Sequence, residues 1–204
     1  MGLPAHVPSG DVLPGPGAPD DAAERWLLAH RRGTDADTAL RFFDRCAAIE
    51  PEEVVGRWHG SGWHTGHPWD GLLEAMGWYG KDVDDPEHVR PTLFRDGRGD
   101  PVPVDPVLAP VSLIRLFPQG LRRSGLPAAF RAVVPLLRSP RPAGRIRSVQ
   151  TRGVVSAALV YDAVPIVDAL RRVAPDLLLG AADIRGEPAP LMFVLRRRRP
   201  AARG

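Results

Sequence analysis

The stretch GRWHGSGWHTGHPWDGLLEAMGWYGK, residues 56–81, holds four of the five tryptophans of the chain, three of its six histidines and seven glycines. If residues 54–62 form a strand, alternation places Trp58, Gly60 and Gly62 on one face. Glycine weakens a strand, so this spacing predicts strong coiling of the strand, or the close approach of another chain segment or a ligand. A metal or catalytic centre is the alternative that the histidines raise.

The sequence around this stretch predicts a mainly β protein with two short α-helices in front. Asp21 and Glu24 have the spacing of a capping box and open the first helix. Leu40 and Phe43 share one face of the second. From Val54 onwards, short apolar runs are separated by Gly, Pro and Asp, which predicts about nine strands in all.

The second half of the chain has the clearest β pattern. Five segments after residue 145, each bounded by turn residues, predict a contiguous antiparallel meander. The run VSLIRLF, residues 111–117, predicts an earlier strand, and an inserted helix is predicted near 125–138, interrupted by Pro135. A sheet of this size could close into a β-barrel, which would remove exposed edges and leave room for one small ligand.

Length and composition indicate a globular protein with a core of useful size. The 204 residues are 44% hydrophobic and 25% charged, and we expect a single domain over 20–197. Residues 1–19 are rich in Pro and Gly and predict a disordered tail. Residues 198–204 form a basic tail, and the arginine run 196–199 is interpreted as a frayed, solvated end.

Charge and cysteine content narrow the function classes. Without the run Arg196–Arg199, the formal charge of +3 becomes −1, which leaves no basis for nucleic-acid binding. Cys46 is the single cysteine, so no internal disulfide forms, and we interpret it as a small buried apolar residue. No signal peptide or membrane span is recognisable, so a cytoplasmic location without a membrane partner is expected.

Two long stretches resemble a known family. The run TGHPWDGLLEAMGWYGK at 65–81, together with Gly56-Arg57-Trp58-His59-Gly60, looks like the motif of the bacterial GXWXG proteins. Residues 154–197 resemble the domain of unknown function that follows that motif in the same family. The resemblance implies a lipocalin-like barrel, with a GXWXG part at about 40–105 and a C-terminal meander at about 145–197. It implies no activity.

The histidine cluster permits two metal hypotheses. His59, His64 and His67 lie close enough in sequence to ligate one zinc ion. However, a strand spacing of five places His59 and His64 on opposite faces unless the chain bends. A haem would need an axial ligand from this cluster or from Tyr161. We therefore expect no metal and no cofactor, and His67 is interpreted as contacting a loop or a ligand.

Acid–base candidates lie elsewhere in the sequence. Lys81, the only lysine, is either a desolvated base or anion contact, or a turn residue that pairs with the acidic residues at 82–85. Tyr161, Asp162 and Asp168 are candidate acid–base residues; the alternatives are that Asp162 stabilises only a turn and that Asp168 pairs with Arg171. These candidates, with His67, are the predicted catalytic set if the protein is an enzyme.

These features lead to two main functional hypotheses. In the first, the barrel binds a small apolar or aromatic molecule that is terpenoid-, polyketide- or fatty-acid-like. The N-terminal helices partly cover the mouth of the barrel. The predicted ligand-binding residues are Trp58, Trp63, His67, Trp78, Tyr79, Lys81 and Tyr161.

In the second hypothesis, the protein is a cofactor-free isomerase, cyclase or hydratase that acts on such a molecule. In a third, the barrel is filled by its own side chains and serves as an interaction module. No P-loop, dinucleotide-binding glycine motif or serine-hydrolase elbow is present in the sequence, which removes support for those chemistries. The sequence leaves open whether the protein forms a homodimer.

Overall fold

The structure, a computed structural model, describes residues 12–15, 20–108 and 126–198, with the backbone alone at 126–128. Helices α1 and α2 come first, and α2 is capped by Asp35, whose side chain accepts a hydrogen bond of 2.9 Å from the Thr38 amide. The helices are α1 (Asp20–Ala29), α2 (Ala36–Arg45), α3 (Leu72–Ala75) and α4 (Leu126–Val133), with 3₁₀ turns at Pro51–Val54 and Val134–Leu137.

Nine antiparallel strands form one sheet that closes in a ring among the described residues. Around the ring the order is β2-β1-β9-β8-β7-β6-β5-β3, and the β2–β3 pairing closes it, while β4 extends the sheet beside β3. The strands are β1 (Gly56–Gly62), β2 (Trp78–Asp85), β3 (His88–Arg95), β4 (Pro101–Pro103), β5 (Gly144–Thr151), β6 (Val154–Tyr161), β7 (Ile166–Ala174), β8 (Leu177–Ile184) and β9 (Leu191–Arg197).

The predicted mainly β class and the closed sheet are confirmed. Strands β5 to β9 pair in consecutive order, as the even spacing of turn residues predicts, and no helix interrupts the described chain from 144 to 197. The helix predicted near 125–138 is also present, and its α-helical part ends two residues before Pro135. The predicted strand at 111–117 lies outside the described residues, as does most of the predicted tail at 1–19.

The glycines of β1 make room for the side chains of this chain itself. A Cβ on Gly60 would collide with the indole ring of Trp78. Gly80 on β2 has φ +140°, and a Cβ there would collide with the Trp58 carbonyl. The close approach that the sequence predicts is therefore that of a neighbouring strand and its tryptophan.

The sheet separates two apolar cores. The inner core lies inside the ring and contains Trp58, Trp78, Phe94 and Phe193. The outer core lies between the helices α1 and α2 and the outward-facing residues of β7, β8 and β9.

The outer core corrects one prediction, because the N-terminal helices α1 and α2 pack against the outer wall of the ring and not over its mouth. Their apolar faces find matching apolar residues there, since β7 to β9 are buried on both faces.

One end of the ring is closed by the chain that leads into β1. The 3₁₀ turn Pro51–Val54 contacts β5 and β6, and the Trp58 indole nitrogen donates to the Val54 carbonyl at 2.7 Å. The Arg197 guanidinium lies 4.2 Å from the centre of the Trp58 ring and donates to the Glu53 and Val55 carbonyls. This end is therefore sealed by a cation–π contact over a fully buried tryptophan.

Part of the arginine run is structural, which corrects its interpretation as a frayed end. Arg196 and Arg197 both belong to β9. Arg196 forms an ion pair of 3.1 Å with Glu24 on α1, which connects the sheet to the helices. The run looks solvated in sequence because its charges are adjacent, but alternation along a strand sends neighbouring side chains to opposite faces.

Among the described residues, no helix is both long enough and apolar enough to cross a membrane.

Candidate functional site

A buried polar cluster lies inside the ring. The Lys81 ammonium donates to Asp168 Oδ2 at 2.7 Å, to the Tyr161 hydroxyl at 3.0 Å and to the Pro91 carbonyl at 3.3 Å. The Tyr161 hydroxyl in turn donates to Asp168 Oδ2 at 3.1 Å. The side chains of Lys81 and Asp168 are only 4% and 2% exposed, so the ion pair is almost fully removed from solvent.

The order of the strands explains how two residues far apart in the sequence form this ion pair. Lys81 lies on β2 and Asp168 on β7, and these strands are four steps apart in either direction around the eight closed strands. The pair therefore crosses the interior and connects opposite walls. A buried pair of this kind is costly to desolvate and is favourable only when its remaining hydrogen-bonding groups are satisfied.

A β-bulge brings Lys81 to the inner face. Trp78 pairs with Phe94 while Gly80 pairs with Leu93, so one extra residue is inserted in β2 at Tyr79. As a result Trp78 and Lys81 both point into the ring although they are three residues apart. Without the bulge, simple alternation would place them on opposite faces.

Aromatic rings surround the ammonium group. Its nitrogen lies 5.0 Å from the Phe193 ring centre, 5.4 Å from that of Tyr161 and 5.6 Å from that of Trp78. Rings at these distances stabilise a cation through their negative faces. Burial, followed by the Asp168 carboxylate, raises the pKa of Tyr161 well above its ordinary value of 10, so the phenol stays protonated at neutral pH.

The polar cluster forms part of the wall of an internal cavity. Its enclosed volume is about 70 Å³, and its empty space is about 660 Å³ when the open mouth is included. The enclosed part has room for a few water molecules. Apart from the cluster and Thr92, the wall is apolar, and its largest side chains are Trp69, Met76, Trp78, Phe94, Leu191 and Phe193.

Four of the residues predicted from the sequence come together at this cavity. Trp78, Lys81, Tyr161 and Asp168 all line it. The sequence left open whether Asp168 pairs with Arg171, and the structure pairs it with Lys81 instead. Arg171 donates to backbone carbonyls and its guanidinium lies 4.9 Å from the Phe43 ring centre, in the outer core.

The other predicted aromatic residues lie away from the cavity wall. Trp58 is buried deeper in the inner core, at the sealed end. Trp63 belongs to the outer core and donates to the His30 carbonyl at 2.8 Å. Tyr79, the bulge residue, contacts His59 and Arg95. None of these three residues lines the cavity, so their roles in ligand binding stay predictions.

Two polar candidates also lie outside the lining. Asp162 forms an exposed ion pair of 2.9 Å with Arg145. His67 is buried, and its Nδ1 accepts a hydrogen bond of 3.1 Å from the Trp69 amide, which places the proton of the neutral ring on Nε2. Burial lowers the pKa of His67, against the opposing effect of Glu187, whose carboxylate lies 3.9 Å from Nε2.

The three clustered histidines are held apart. His59 meets Arg95 at 3.1 Å, His64 lies 3.6 Å from Glu74, and His67 is buried near Glu187. Within the described ranges, no group of three or more His, Cys, Asp or Glu side chains is placed to hold a metal ion.

An outer groove is a second concave surface. It lies between α1 and the strands β1 and β9, and its volume is about 230 Å³. Its wall includes Leu28, Arg31 and Arg196, which are exposed to solvent. Among the described residues that line it, the outer groove has no buried polar cluster to orient a ligand, so the internal cavity is the better candidate site although it is smaller.

The sequence missed several lining residues. Trp69, Leu73 and Met76 come from α3 and the turns around it, and Phe94 and Phe193 come from β3 and β9. A signal existed for Phe193, because a Cβ on its partner Gly180 would collide with the Phe193 ring. A glycine inside an apolar strand marks a close approach of this kind.

Comparison with known proteins agrees with this architecture. The family model described as GXWXG protein matches residues 41–99, and the one described as Domain of unknown function (DUF4334) matches residues 142–197. A solved structure of a protein from Thermomonospora curvata is 30% identical, with a TM-score of 0.66, and the alignment covers 88% of this chain and 99% of that one. The chain belongs to the GXWXG protein family. No curated protein matches it.

Proposed function

We propose that this protein binds a small apolar or aromatic molecule inside its ring of strands. The observation that carries the proposal is the cavity, whose apolar wall is interrupted by one compact polar cluster at Lys81, Tyr161 and Asp168. Sites for small molecules usually combine a mostly apolar wall with a few convergent polar groups in this way. The terpenoid-, polyketide- and fatty-acid-like classes all have suitable apolar bodies.

The size of the cavity favours compact ligands. An enclosed space of this size suits a single ring or a short branched chain, and a longer ligand would extend towards the mouth. Trp78 and Phe193 both line the cavity and contact each other edge to face, with ring centres 5.9 Å apart. A ligand in contact with Trp78 would therefore change the fluorescence of that residue.

Intrinsic fluorescence tests the proposal. The purified protein is titrated with terpenoids, aromatic polyketides and short fatty acids, and we expect saturable quenching by at least one class. Because Trp69 and Trp78 both line the cavity, the double variant Trp69→Phe/Trp78→Phe should abolish the response. Trp63→Phe, which changes a tryptophan of the outer core, should retain it. Quenching that survives the double variant but is lost in Trp63→Phe would move the site to the outer groove, which Trp63 lines.

A second candidate function is a cofactor-free isomerase, cyclase or hydratase. It is favoured by the presence of a carboxylate and a protonated phenol on the same cavity, at Asp168 and Tyr161. The carboxylate could take a proton from a substrate carbon and deliver a solvent-exchanged proton at another position, while the Tyr161 hydroxyl donates to Oδ2 of the same carboxylate. His67 and Asp162 line no part of this cavity, so Asp168 carries this hypothesis.

Solvent exchange separates the two functions. A ligand that binds is incubated with the protein in D₂O and then analysed by mass spectrometry. An enzyme of this kind should introduce deuterium at a carbon position, and Asp168→Asn should stop the exchange while Asp162→Asn has no effect. A carrier leaves the isotope content of the ligand unchanged.

A further inference from the structure

The hydrogen-bonding groups of the cluster can be counted, and the count defines what a ligand must offer. A lysine ammonium has three donors, and those of Lys81 are directed to Asp168, Tyr161 and the Pro91 carbonyl. The single hydroxyl proton of Tyr161 is directed to Asp168 Oδ2. Every donor of the cluster is therefore already used within the protein.

Acceptor capacity is left over. Asp168 Oδ2 receives two hydrogen bonds, but among the described residues no donor reaches Oδ1 of the same carboxylate. A carboxylate has room for about four hydrogen bonds, and a phenol oxygen can accept two. Because Asp168 and Tyr161 both line the cavity, the open positions at its polar end are acceptors.

The charge of the cluster also favours a neutral ligand that donates a hydrogen bond. Lys81 and Asp168 form a neutral pair, and the phenol of Tyr161 stays neutral, so no net positive charge faces the cavity. An anionic ligand would lose its hydration and find neither a free donor nor an unpaired cation. An ammonium ligand would be repelled by the Lys81 ammonium, because little solvent screens the two charges in the cavity.

We propose that the cavity selects neutral ligands with a hydroxyl group, namely small apolar alcohols or phenols, whose hydroxyl proton is donated to Asp168 Oδ1. This inference rests on the proposed binding function and narrows it. It places carboxylates, including fatty acids, among the poor ligands.

A matched series tests the proposal by isothermal titration calorimetry on the intact protein. The probes are cyclohexanol, methoxycyclohexane and cyclohexanecarboxylate, which share one ring and differ in the polar group. A hydrogen bond to a charged acceptor predicts that cyclohexanol binds about tenfold or more tightly than its methyl ether. The carboxylate should bind more weakly than the alcohol at pH 7.

Substitution of Asp168 should reverse this preference. Asp168→Asn removes the counter-ion of Lys81, so the ammonium becomes free to attract an anion. The affinity for cyclohexanol should fall and that for cyclohexanecarboxylate should rise. A general loss of stability would weaken the binding of both ligands alike. The matched control is Asp162→Asn, which changes an exposed carboxylate and should leave all three affinities unchanged.

The outcomes are distinct. Wild-type protein that binds the carboxylate or the ether as tightly as the alcohol overturns the hydroxyl selectivity but leaves a binding cavity in place. If none of the three probes binds, and terpenoids and aromatic polyketides also give no response, the binding function itself is contradicted. The wild-type series decides the question even if Asp168→Asn does not fold.

Discussion

The buried ion pair predicts a strongly non-additive pattern of stability. Lys81→Met leaves the Asp168 carboxylate buried with only the Tyr161 hydroxyl as a donor. Asp168→Asn leaves the Lys81 ammonium with the Pro91 carbonyl and Tyr161. Removal of one partner from a buried pair costs about 3–5 kcal/mol, because the other charge is left without compensation. Both side chains are at least 96% buried, so no allowance for solvent screening is needed.

The double variant Lys81→Met/Asp168→Asn removes both charges together. Its loss of stability should be no larger than that of the worse single variant, which gives a coupling free energy of at least about 3 kcal/mol. The free energy of unfolding is measured by urea denaturation followed by circular dichroism. The control is the same cycle on the exposed pair Arg145 and Asp162, where the coupling should stay below about 1 kcal/mol.

Two results would refute this reasoning. If each single variant at Lys81 and Asp168 cost less than about 1 kcal/mol, the pair would not be buried as the structure has it. If the double variant lost the sum of the two single losses, the charges would act independently, and the contact of 2.7 Å would be absent in solution.

The remaining predictions concern three other positions. Gly60→Ala should push the Trp78 ring aside, lower the free energy of unfolding by about 1–3 kcal/mol and weaken ligand binding. The control is Gly97→Ala, whose added Cβ meets no atom within 4 Å, and it should change the free energy of unfolding by less than about 0.5 kcal/mol in the same urea assay. Equal effects of the two substitutions would contradict the close packing at Gly60. The pKa of His67 is lowered in the fold, so its contribution to stability is present above its ordinary value of 6.5 and is lost as the pH falls through the lowered value. His67→Gln should therefore flatten the decline of the free energy of unfolding between pH 7 and pH 5, and an unchanged slope would count against this assignment. Burial raises the pKa of the Cys46 thiol to about 12, so the folded protein should react with iodoacetamide at pH 8 far more slowly than the urea-unfolded protein; equal rates would show an accessible thiolate.

The fold could be predicted largely from local patterns. The strands β5 to β9 alternate or run apolar over short lengths and end at Gly, Pro or Asp, so their order and antiparallel pairing follow from neighbouring residues. The closing of the sheet was implied by the family resemblance of Gly56-Arg57-Trp58-His59-Gly60. The position of α1 and α2 could not be predicted, because an amphipathic helix shows that it packs on something but not on which surface.

The candidate site could be predicted only in part. Lys81, Tyr161 and Asp168 were recognised by residue type, but Lys81 and Asp168 are 87 positions apart in the chain, and their contact depends on the ring. Tyr79 and Lys81 were both predicted to bind a ligand, but the bulge at Tyr79 shifts the alternation of β2, so Lys81 lines the cavity and Tyr79 does not. A bulge depends on pairing with the neighbouring strand and leaves a weak trace in the sequence.

A crystal structure of the protein with a brominated cyclohexanol tests the central claim most directly. The bromine gives an anomalous signal that locates the ligand without reference to the shape of its density. We expect this peak inside the ring, within about 4 Å of the Trp78 ring, and the hydroxyl oxygen about 2.7 Å from Asp168 Oδ1. A peak confined to the outer groove beside Arg31, or a ring interior closed by its own side chains with no ligand, would contradict the account.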